Sequence, residues 1–267
     1  MPVHTLDDEN ALYYEYTQPT RSDGYTYVFF NALTGDVGMW NNSVVSALTD
    51  AGHGVLLYNM RGQAQSPYSA DLSLDQHLIV NDAVALLAEV NPPRPVFVGL
   101  SIGGIFAAWA INQGASCEGL VLLNTLRRDG PRLRWINDAV VRMSEFGGPL
   151  LMRDIMSPLI MNEDWLAENR DGCLQDAAYE PLPTDSGTYN LLSSARSTDW
   201  DFPYEKLSQP VLVITGRHDR VFRDPADIET LTARIPSVQS MEFENAGHMI
   251  PVEQPARLCE ALLAFPG

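Results

Sequence analysis

The sequence predicts an α/β fold with a doubly wound, mostly parallel sheet, and three observations support it. Short apolar runs alternate along the chain with segments of helical pattern. The runs 96–98 and 120–123 are apolar at every position, which is typical of strands covered on both faces of a parallel sheet. Between about residues 126 and 207 the alternation stops, and the pattern is mostly helical. We therefore predict a core of residues 1–125 and 208–267 with a helical cap inserted at residues 126–207.

The elements of the core follow from local patterns, taken in order. Alternating residues around a polar turn predict a hairpin with strands at 2–6 and 11–17. Apolar runs predict strands at 25–31, 54–59, 95–99 and 119–124, and the segments between them predict helices at 39–51, at 74–90 and from residue 101. After the insertion, the same patterns predict strands at 210–214 and 238–244 and helices at 225–234 and 253–265.

Composition and charge restrict the partners of the chain. It has 267 residues and a formal net charge of −17 at pH 7, which would repel nucleic acid and anionic membrane surfaces. No apolar run approaches the roughly 18 residues of a membrane-spanning helix, and the N-terminus lacks the pattern of a signal peptide. Three widely spaced cysteines favour neither disulfides nor a zinc site. We expect a cytoplasmic monomer or homodimer that binds a small molecule, not nucleic acid or a membrane.

The segment GLSIGG at 99–104 carries the strongest chemical signal. It follows a predicted buried strand and opens an apolar helix. A sharp turn at this place puts its central residue in strained dihedral angles and requires small neighbours, which explains the glycines. The turn would hold the Ser101 hydroxyl out into a site that the backbone N–H of Ile102 also faces. A chance G-x-S-x-G is the alternative, and the strand–turn–helix context argues against it.

A nucleophilic serine needs a base, and a neutral imidazole is the usual one. Among five histidines, His248 is the best candidate, because its loop follows the last strand at the carboxyl end of the sheet. His218 is a rival base, and the remaining histidines suit structural or solvated roles: His4, His53 and His77.

The imidazole in turn needs an acid to fix its tautomer. Asp219 follows a strand at the same end of the sheet, whereas Asp224 and Asp227 are substitutes that better suit the start of a helix. Ser101 is therefore predicted as nucleophile, His248 as base and Asp219 as acid.

With these residues identified, the whole chain resembles α/β-hydrolase-fold proteins that carry a helical cap. The segments GLSIGG, GRHD at 216–219 and NAGH at 245–248 stand in the order typical of that superfamily. The resemblance implies an oxyanion hole formed by the backbone N–H groups of Ile102 and Leu33. Relatives commonly have His-Gly where this chain has Asn31 and Ala32, but a backbone donor can survive these substitutions.

The segment NMRGQAQS at 59–66 is a second departure from the family pattern. Relatives usually begin this turn with aspartate and have glycine in place of Ala64. We expect structural roles here, with Arg61 connecting loops and Ser66 closing the turn, and no part in catalysis.

These residues favour a carboxylesterase that cleaves esters of small to medium chain length through an acyl-enzyme. Serine in the turn excludes the related dehalogenases and epoxide hydrolases, which carry aspartate there. The turn also resembles that of enol-lactone hydrolases, so lactone hydrolysis is the first alternative and carbon–carbon bond hydrolysis the next. A ligand-binding or signalling protein with little turnover is the alternative from another class. No cofactor or metal is predicted, because no phosphate loop, dinucleotide fingerprint or metal-ligand cluster is present.

Large apolar side chains and two arginines are the candidates for substrate binding. The apolar candidates for the pocket are Met39, Trp40, Trp135, Met143 and Met249. Each could equally be a packing residue of its own element. Arg127 and Arg128 follow a strand end and could bind a substrate carboxylate, although such arginines more often form surface ion pairs.

Overall fold

The computed structural model describes residues 3–41, 43–175 and 178–266, and an eight-stranded sheet forms its centre. Its strands are β1 (Val3–Thr5), β2 (Ala11–Thr17), β3 (Thr26–Phe30), β4 (Gly54–Tyr58), β5 (Pro95–Leu100), β6 (Gly119–Leu123), β7 (Val211–Gly216) and β8 (Val238–Phe243). They lie in the order β1-β2-β4-β3-β5-β6-β7-β8. Strand β2 pairs antiparallel with β1 and with β4, and the remaining pairs are parallel. The mostly parallel sheet is therefore confirmed.

Helices cover both faces of this sheet. They are α1 (Ser43–Asp50), α2 (Gln76–Val90), α3 (Ile102–Asn112), α4 (Pro131–Ile160), α5 (Glu163–Asn169), α6 (Gly187–Ser194), α7 (Pro225–Thr232), α8 (Ile250–Glu253) and α9 (Pro255–Leu263). Alternate residues of a strand point to opposite faces. Within β3, Val28 and Phe30 accordingly pack with α2 and α3, whereas Tyr27 and Phe29 pack with α1 and α9. Apolar clusters therefore lie on both faces of the sheet, which confirms the doubly wound arrangement.

Two of the predicted helices differ from the structure by more than a residue or two at an end. The predicted helix 39–51 is shorter, because a 3₁₀ turn at Val37–Met39, capped by the Asp36 side chain, precedes α1. The predicted helix 253–265 is two helices, α8 and α9, which meet at Gln254. Pro255 has no backbone N–H to donate and disfavours helical angles at the residue before it, so the helix breaks there. In the terminal hairpin, the predicted residue Pro2 lies outside the described residues.

The segment between β6 and β7 contributes helices and, within its described residues, no strand. Its main element, α4, is kinked at Gly148, where φ is 57° and Pro149 follows. A Cβ atom at Gly148 would lie 2.3 Å from the carbonyl oxygen of Glu180, so glycine permits both the angle and the contact. The division into a core and a cap at residues 126–207 stays a prediction. Within the described ranges, no helix is both long enough and apolar enough to cross a membrane.

Candidate active site

Ser101 occupies the sharp turn between β5 and α3. Its φ and ψ are 58° and −122°, a conformation that costs a non-glycine residue energy. Its backbone N–H donates to the carbonyl of Leu123 at 2.8 Å, which fixes the turn against β6. A Cβ atom at Gly103 would lie 2.3 Å from the carbonyl oxygen of Phe30. The glycine after the serine therefore lets α3 begin directly against the end of β3, as the sequence pattern predicted.

His248 and Asp219 meet on neighbouring loops at the same end of the sheet. The His248 Nδ1 atom lies 2.6 Å from Oδ2 of Asp219. The other oxygen, Oδ1, accepts the backbone N–H groups of Val221 at 3.1 Å and Phe222 at 2.9 Å. Because the carboxylate accepts at Nδ1, we assign the proton of the neutral ring to that nitrogen, which leaves Nε2 free to accept another proton.

The electrostatics of this pair keep Asp219 ionised. Ser101, Asp219 and His248 are only 8%, 3% and 5% exposed. Burial raises the pKa of Asp219, but the charge and hydrogen bond of His248, the N–H of Phe222 and the more distant charge of Arg127 together hold it below its ordinary value of 3.8. The buried carboxylate can therefore orient the imidazole and stabilise its protonated form.

Ser101 is hydrogen bonded to an arginine rather than to the histidine. Within the described residues, no hydrogen bond joins His248 Nε2 to the serine. The Oγ atom instead accepts from Nη2 of Arg127 at 3.1 Å. A hydroxyl can accept and donate at the same time, so this bond leaves the serine proton available to a base.

Arg127 is buried in the site, and no carboxylate among the described residues is bonded to it. It follows β6 directly and is 6% exposed. Its remaining hydrogen bonds run to the backbone carbonyls of Asn124 at 2.7 Å and Thr125 at 3.3 Å. Its guanidinium carbon lies 4.7 Å from the ring centre of Trp200 and 4.6 Å from that of Phe222. Burial lowers the pKa of Arg127 to about 10, although the charge of Asp219 opposes that shift.

Phe222 connects the arginine to the histidine. Its ring centre lies 4.7 Å from that of His248, and it also packs on the Arg127 guanidinium. Its backbone N–H is one of the two donors to Asp219. Sequence reasoning missed this residue, although its spacing of three residues after the acid could have indicated the turn.

Asn124 holds the loops of the acid and the base together. Its Nδ2 group donates to the carbonyls of Gly247 and His248, both at 2.9 Å, and its Oδ1 accepts the backbone N–H of Gly216 at 2.8 Å. Its φ of 47° lies in the left-handed region that asparagine tolerates better than most residues. The side chain therefore connects the end of β6 to the ends of β7 and β8.

Glu253 fixes the histidine loop from the other side. Its carboxylate accepts the backbone N–H groups of Asn162 at 2.7 Å, Gly247 at 2.8 Å and Met249 at 2.9 Å. Burial raises the pKa of Glu253, although these three donors stabilise its charge. The backbone N–H of His248 itself donates to the carbonyl of Ile160, the last residue of α4, at 2.6 Å. The inserted helix is thereby attached to the loop of the predicted base.

Side-chain amides shape the loop that contains Leu33. Asn31 donates to the carbonyl of Tyr58 at 2.9 Å, and Gln63 donates to the carbonyls of Ala32 at 2.9 Å and Leu33 at 3.1 Å. Within the described residues, the N–H groups of Leu33 and Ile102 have no hydrogen-bond acceptor. Their role as oxyanion donors stays a prediction, and the Asn31 amide explains how the loop is held without the His-Gly of relatives.

Two residues of the segment 59–66 form structural contacts, although Arg61 connects its loop to α2 rather than to another loop. Arg61 forms a buried ion pair with Asp82 at 2.5 Å. Ser66 accepts the backbone N–H of Tyr13 at 2.9 Å and donates to the carbonyl of Asn59 at 2.8 Å.

The predicted pocket residues are not all placed for contact with a substrate. Trp40 has no exposed surface, packs on Phe29 and donates its indole N–H to Asn31 at 2.8 Å, so it is corrected to a core residue. Trp135 is 79% exposed and lines an open surface groove of about 520 Å³ rather than an enclosed pocket. The other candidates are half-buried and stay predictions: Met39, Met143 and Met249.

The rival residues have other surroundings. Asp224 caps α7 by accepting the N–H of Ala226 at 3.0 Å. Arg128 is 63% exposed and lies 3.9 Å from Asp227, which is the surface ion pair that its type favours. Within the described residues, the ring of His218 forms no hydrogen bond.

Comparison with known proteins supports the fold and identifies the family. A 3-oxoadipate enol-lactonase of Acinetobacter baylyi is 25% identical over 250 residues, which cover 91% of this chain and 89% of the relative. A protein of Variovorax paradoxus, provisionally named a carbamate hydrolase, is 24% identical over 257 residues, or 95% of each chain. The crystal structure of MGS-M2, an alpha/beta hydrolase from a deep-sea metagenome library, has a TM-score of 0.83 at 20% identity, covering 99% of this chain and 96% of that one. The family model of the alpha/beta hydrolases matches residues 27–261, and the chain belongs to that family of hydrolases.

Proposed function

We propose that the protein is a serine hydrolase that cleaves carboxylic esters of small to medium chain length. The observation that carries the proposal is the buried hydrogen bond of 2.6 Å between His248 and Asp219, at the strand ends where Ser101 is held in a strained turn. An imidazole oriented by a carboxylate is the usual means of activating a serine hydroxyl.

The reaction then proceeds in two halves. In the first, the Ser101 proton passes to Nε2 of His248 while Oγ attacks the carbonyl carbon of the ester. The backbone N–H groups of Ile102 and Leu33 stabilise the oxyanion. The carbon–oxygen bond to the leaving alcohol breaks, and His248 returns the proton to that oxygen. In the second half, water loses a proton to His248 and attacks the acyl-enzyme. The bond between the acyl carbon and Oγ breaks, His248 returns the proton to Oγ, and the acid is released with Ser101 restored.

Lactone hydrolysis is the second candidate. A lactone is an internal ester, so the same steps open it without releasing a separate alcohol. The enol-lactonase relative, which matches nine-tenths of this chain, supports this candidate. The other named relative extends the substrates worth measuring to carbamates.

The proposal is tested with p-nitrophenyl acetate, butyrate, octanoate and palmitate, alongside a simple lactone. We expect wild-type turnover to fall by about 10⁴-fold or more in Ser101→Ala, because a serine hydrolase without its nucleophile retains only residual catalysis. Ser46→Ala is the matched control, since that serine is exposed on α1 and its hydroxyl, within the described residues, bonds to nothing except the carbonyl of Ser43. Equal rates in wild type and Ser101→Ala would contradict the assignment. Labelling of Ser101 by a fluorophosphonate without turnover on any ester or lactone would favour a ligand-binding role.

A further inference from the structure

Arg127 is a buried cation whose hydrogen-bonding capacity exceeds what the protein supplies. A guanidinium has five N–H groups in a planar fork that matches a carboxylate. Three of them have acceptors, and these are neutral oxygens of Ser101, Asn124 and Thr125. The two N–H groups on Nη1 have no acceptor within the described residues. Arg127 also forms no ion pair there, although it is only 6% exposed.

A position of this kind is costly to maintain unless a further partner arrives. Buried arginine is ordinarily paired with a carboxylate, because removing its charge from water is expensive. The aromatic rings of Trp200 and Phe222 compensate for part of that cost by cation–π contact. The neighbouring arginine, Arg128, shows the ordinary outcome, since it lies at the surface near Asp227.

From this geometry, we propose that Arg127 binds an anionic group of the substrate, a carboxylate carried on the acyl side close to the scissile carbonyl. The inference rests on the proposed function, because it takes Ser101 as the nucleophile. Nη2 lies 3.1 Å from Ser101 Oγ, and a bound carboxylate would lie within about 3 Å of the guanidinium nitrogens. The attacked carbon lies about 3–3.5 Å from Oγ before reaction. The two groups are therefore separated by roughly one to three carbon atoms, as in half-esters of short dicarboxylic acids.

The same contact explains how a neutral ester would be distinguished. A carboxylate on Arg127 gains charge-assisted hydrogen bonds from the two free N–H groups of Nη1, whereas an isosteric branched alkyl group offers those donors no acceptor. The preference for the anionic ester over its apolar analogue should therefore be larger than the loss of a single contact would produce.

The test compares monoethyl succinate with ethyl 4-methylpentanoate, in which an isopropyl group replaces the carboxylate at equal size. Hydrolysis is followed by pH-stat in wild type, Arg127→Met, Arg127→Lys and Arg128→Met. We expect wild type to prefer the anionic ester, and the ratio of the two kcat/KM values to fall by about 10- to 100-fold in Arg127→Met. Arg127→Lys keeps the charge without the fork and should retain part of the preference. Arg128→Met should leave the ratio unchanged.

Binding without turnover separates this inference from the proposed function. Monoethyl succinate is titrated calorimetrically into Ser101→Ala and into the same protein with Arg127→Met added, after circular dichroism has confirmed that both are folded. We expect about 10- to 100-fold weaker binding in the double variant. An unchanged affinity, or an unchanged kcat/KM ratio in Arg127→Met, would overturn the anion site and leave esterase activity standing. Arginine-dependent binding with no hydrolysis of either ester would overturn the esterase and retain the anion site.

Discussion

Replacing Asn124 should destabilise the protein and slow its reaction together, because this one side chain joins the loops of Asp219 and His248. It forms three buried hydrogen bonds, of 2.9, 2.9 and 2.8 Å, to Gly247, His248 and Gly216. Removing it leaves two carbonyls and one N–H group without their partner.

The magnitude follows from the number of bonds and the backbone angle. Each buried hydrogen bond contributes about 1 kcal/mol net, so Asn124→Gly should lose about 3 kcal/mol of unfolding free energy. Alanine adds about 1 kcal/mol more, because φ at this position is 47° and a Cβ atom is disfavoured in the left-handed region. For a chain of this size, 1 kcal/mol corresponds to roughly 2–4 °C in Tm. We therefore expect Tm to fall by about 6–12 °C for Asn124→Gly and by a few degrees more for Asn124→Ala.

The assay is thermal unfolding by circular dichroism with kcat/KM on a p-nitrophenyl ester measured in parallel. Asn91 provides the control, because it has a φ of 45° at the exposed end of α2, and its side chain forms no hydrogen bond within the described residues. Asn91→Gly and Asn91→Ala should report the backbone contribution alone. We also expect kcat/KM to fall about 10- to 100-fold in Asn124→Gly from misplacement of the base. An Asn124→Gly protein that melts and reacts like Asn91→Gly would refute the view that this network holds the loops.

Two further predictions concern charge and packing. Folding lowers the pKa of Asp219 below 3.8, so its contribution to stability is complete above that value and is lost as the pH falls through the lowered pKa. The Tm difference between wild type and Asp219→Asn should therefore not shrink between pH 8 and about pH 5, and it should shrink only below pH 4. A difference that already shrinks between pH 7 and pH 5 would contradict it. Substitutions of the two tryptophans should differ in their effect on the free energy of unfolding in urea. Trp40→Phe should lose about 1–3 kcal/mol, because it leaves Asn31 without its indole donor. Trp135→Ser should stay within about 0.5 kcal/mol of wild type, because the position is exposed.

Much of the fold could be predicted because its signals are local. The strands β3 to β7 are buried at every residue, and their apolar runs mark them in the sequence. The serine turn is equally local, since the glycines that permit it, Gly99 and Gly103, lie two residues before and after Ser101. His248 and Asp219 could be identified because both follow strands whose carboxyl ends meet at one edge of the sheet.

The errors arose where burial depends on distant segments. Trp40 and Trp135 are the same residue type in helix-like surroundings, yet one is fully buried and the other 79% exposed. What separates them is the packing of Trp40 on β3 and its bond to Asn31, which no local pattern encodes. Asn124 and Glu253 were likewise missed, because their partners are backbone groups of other loops.

At the proposed active site, the two adjacent arginines also show that local sequence does not predict burial. In the sequence, Arg127 and Arg128 are adjacent residues of the same type, and either could form a surface ion pair. In the structure, Trp200 and Phe222, which come from separate segments on either side of β7, pack against the buried guanidinium of Arg127. One of these rings also packs on His248, and the guanidinium is bonded to Ser101, so the same contacts shape both the catalytic groups and the charge beside them. In the proposed hydrolase, substrate preference would therefore depend on long-range packing around the predicted catalytic residues, and for that reason the family motifs predict the chemistry but not the substrate.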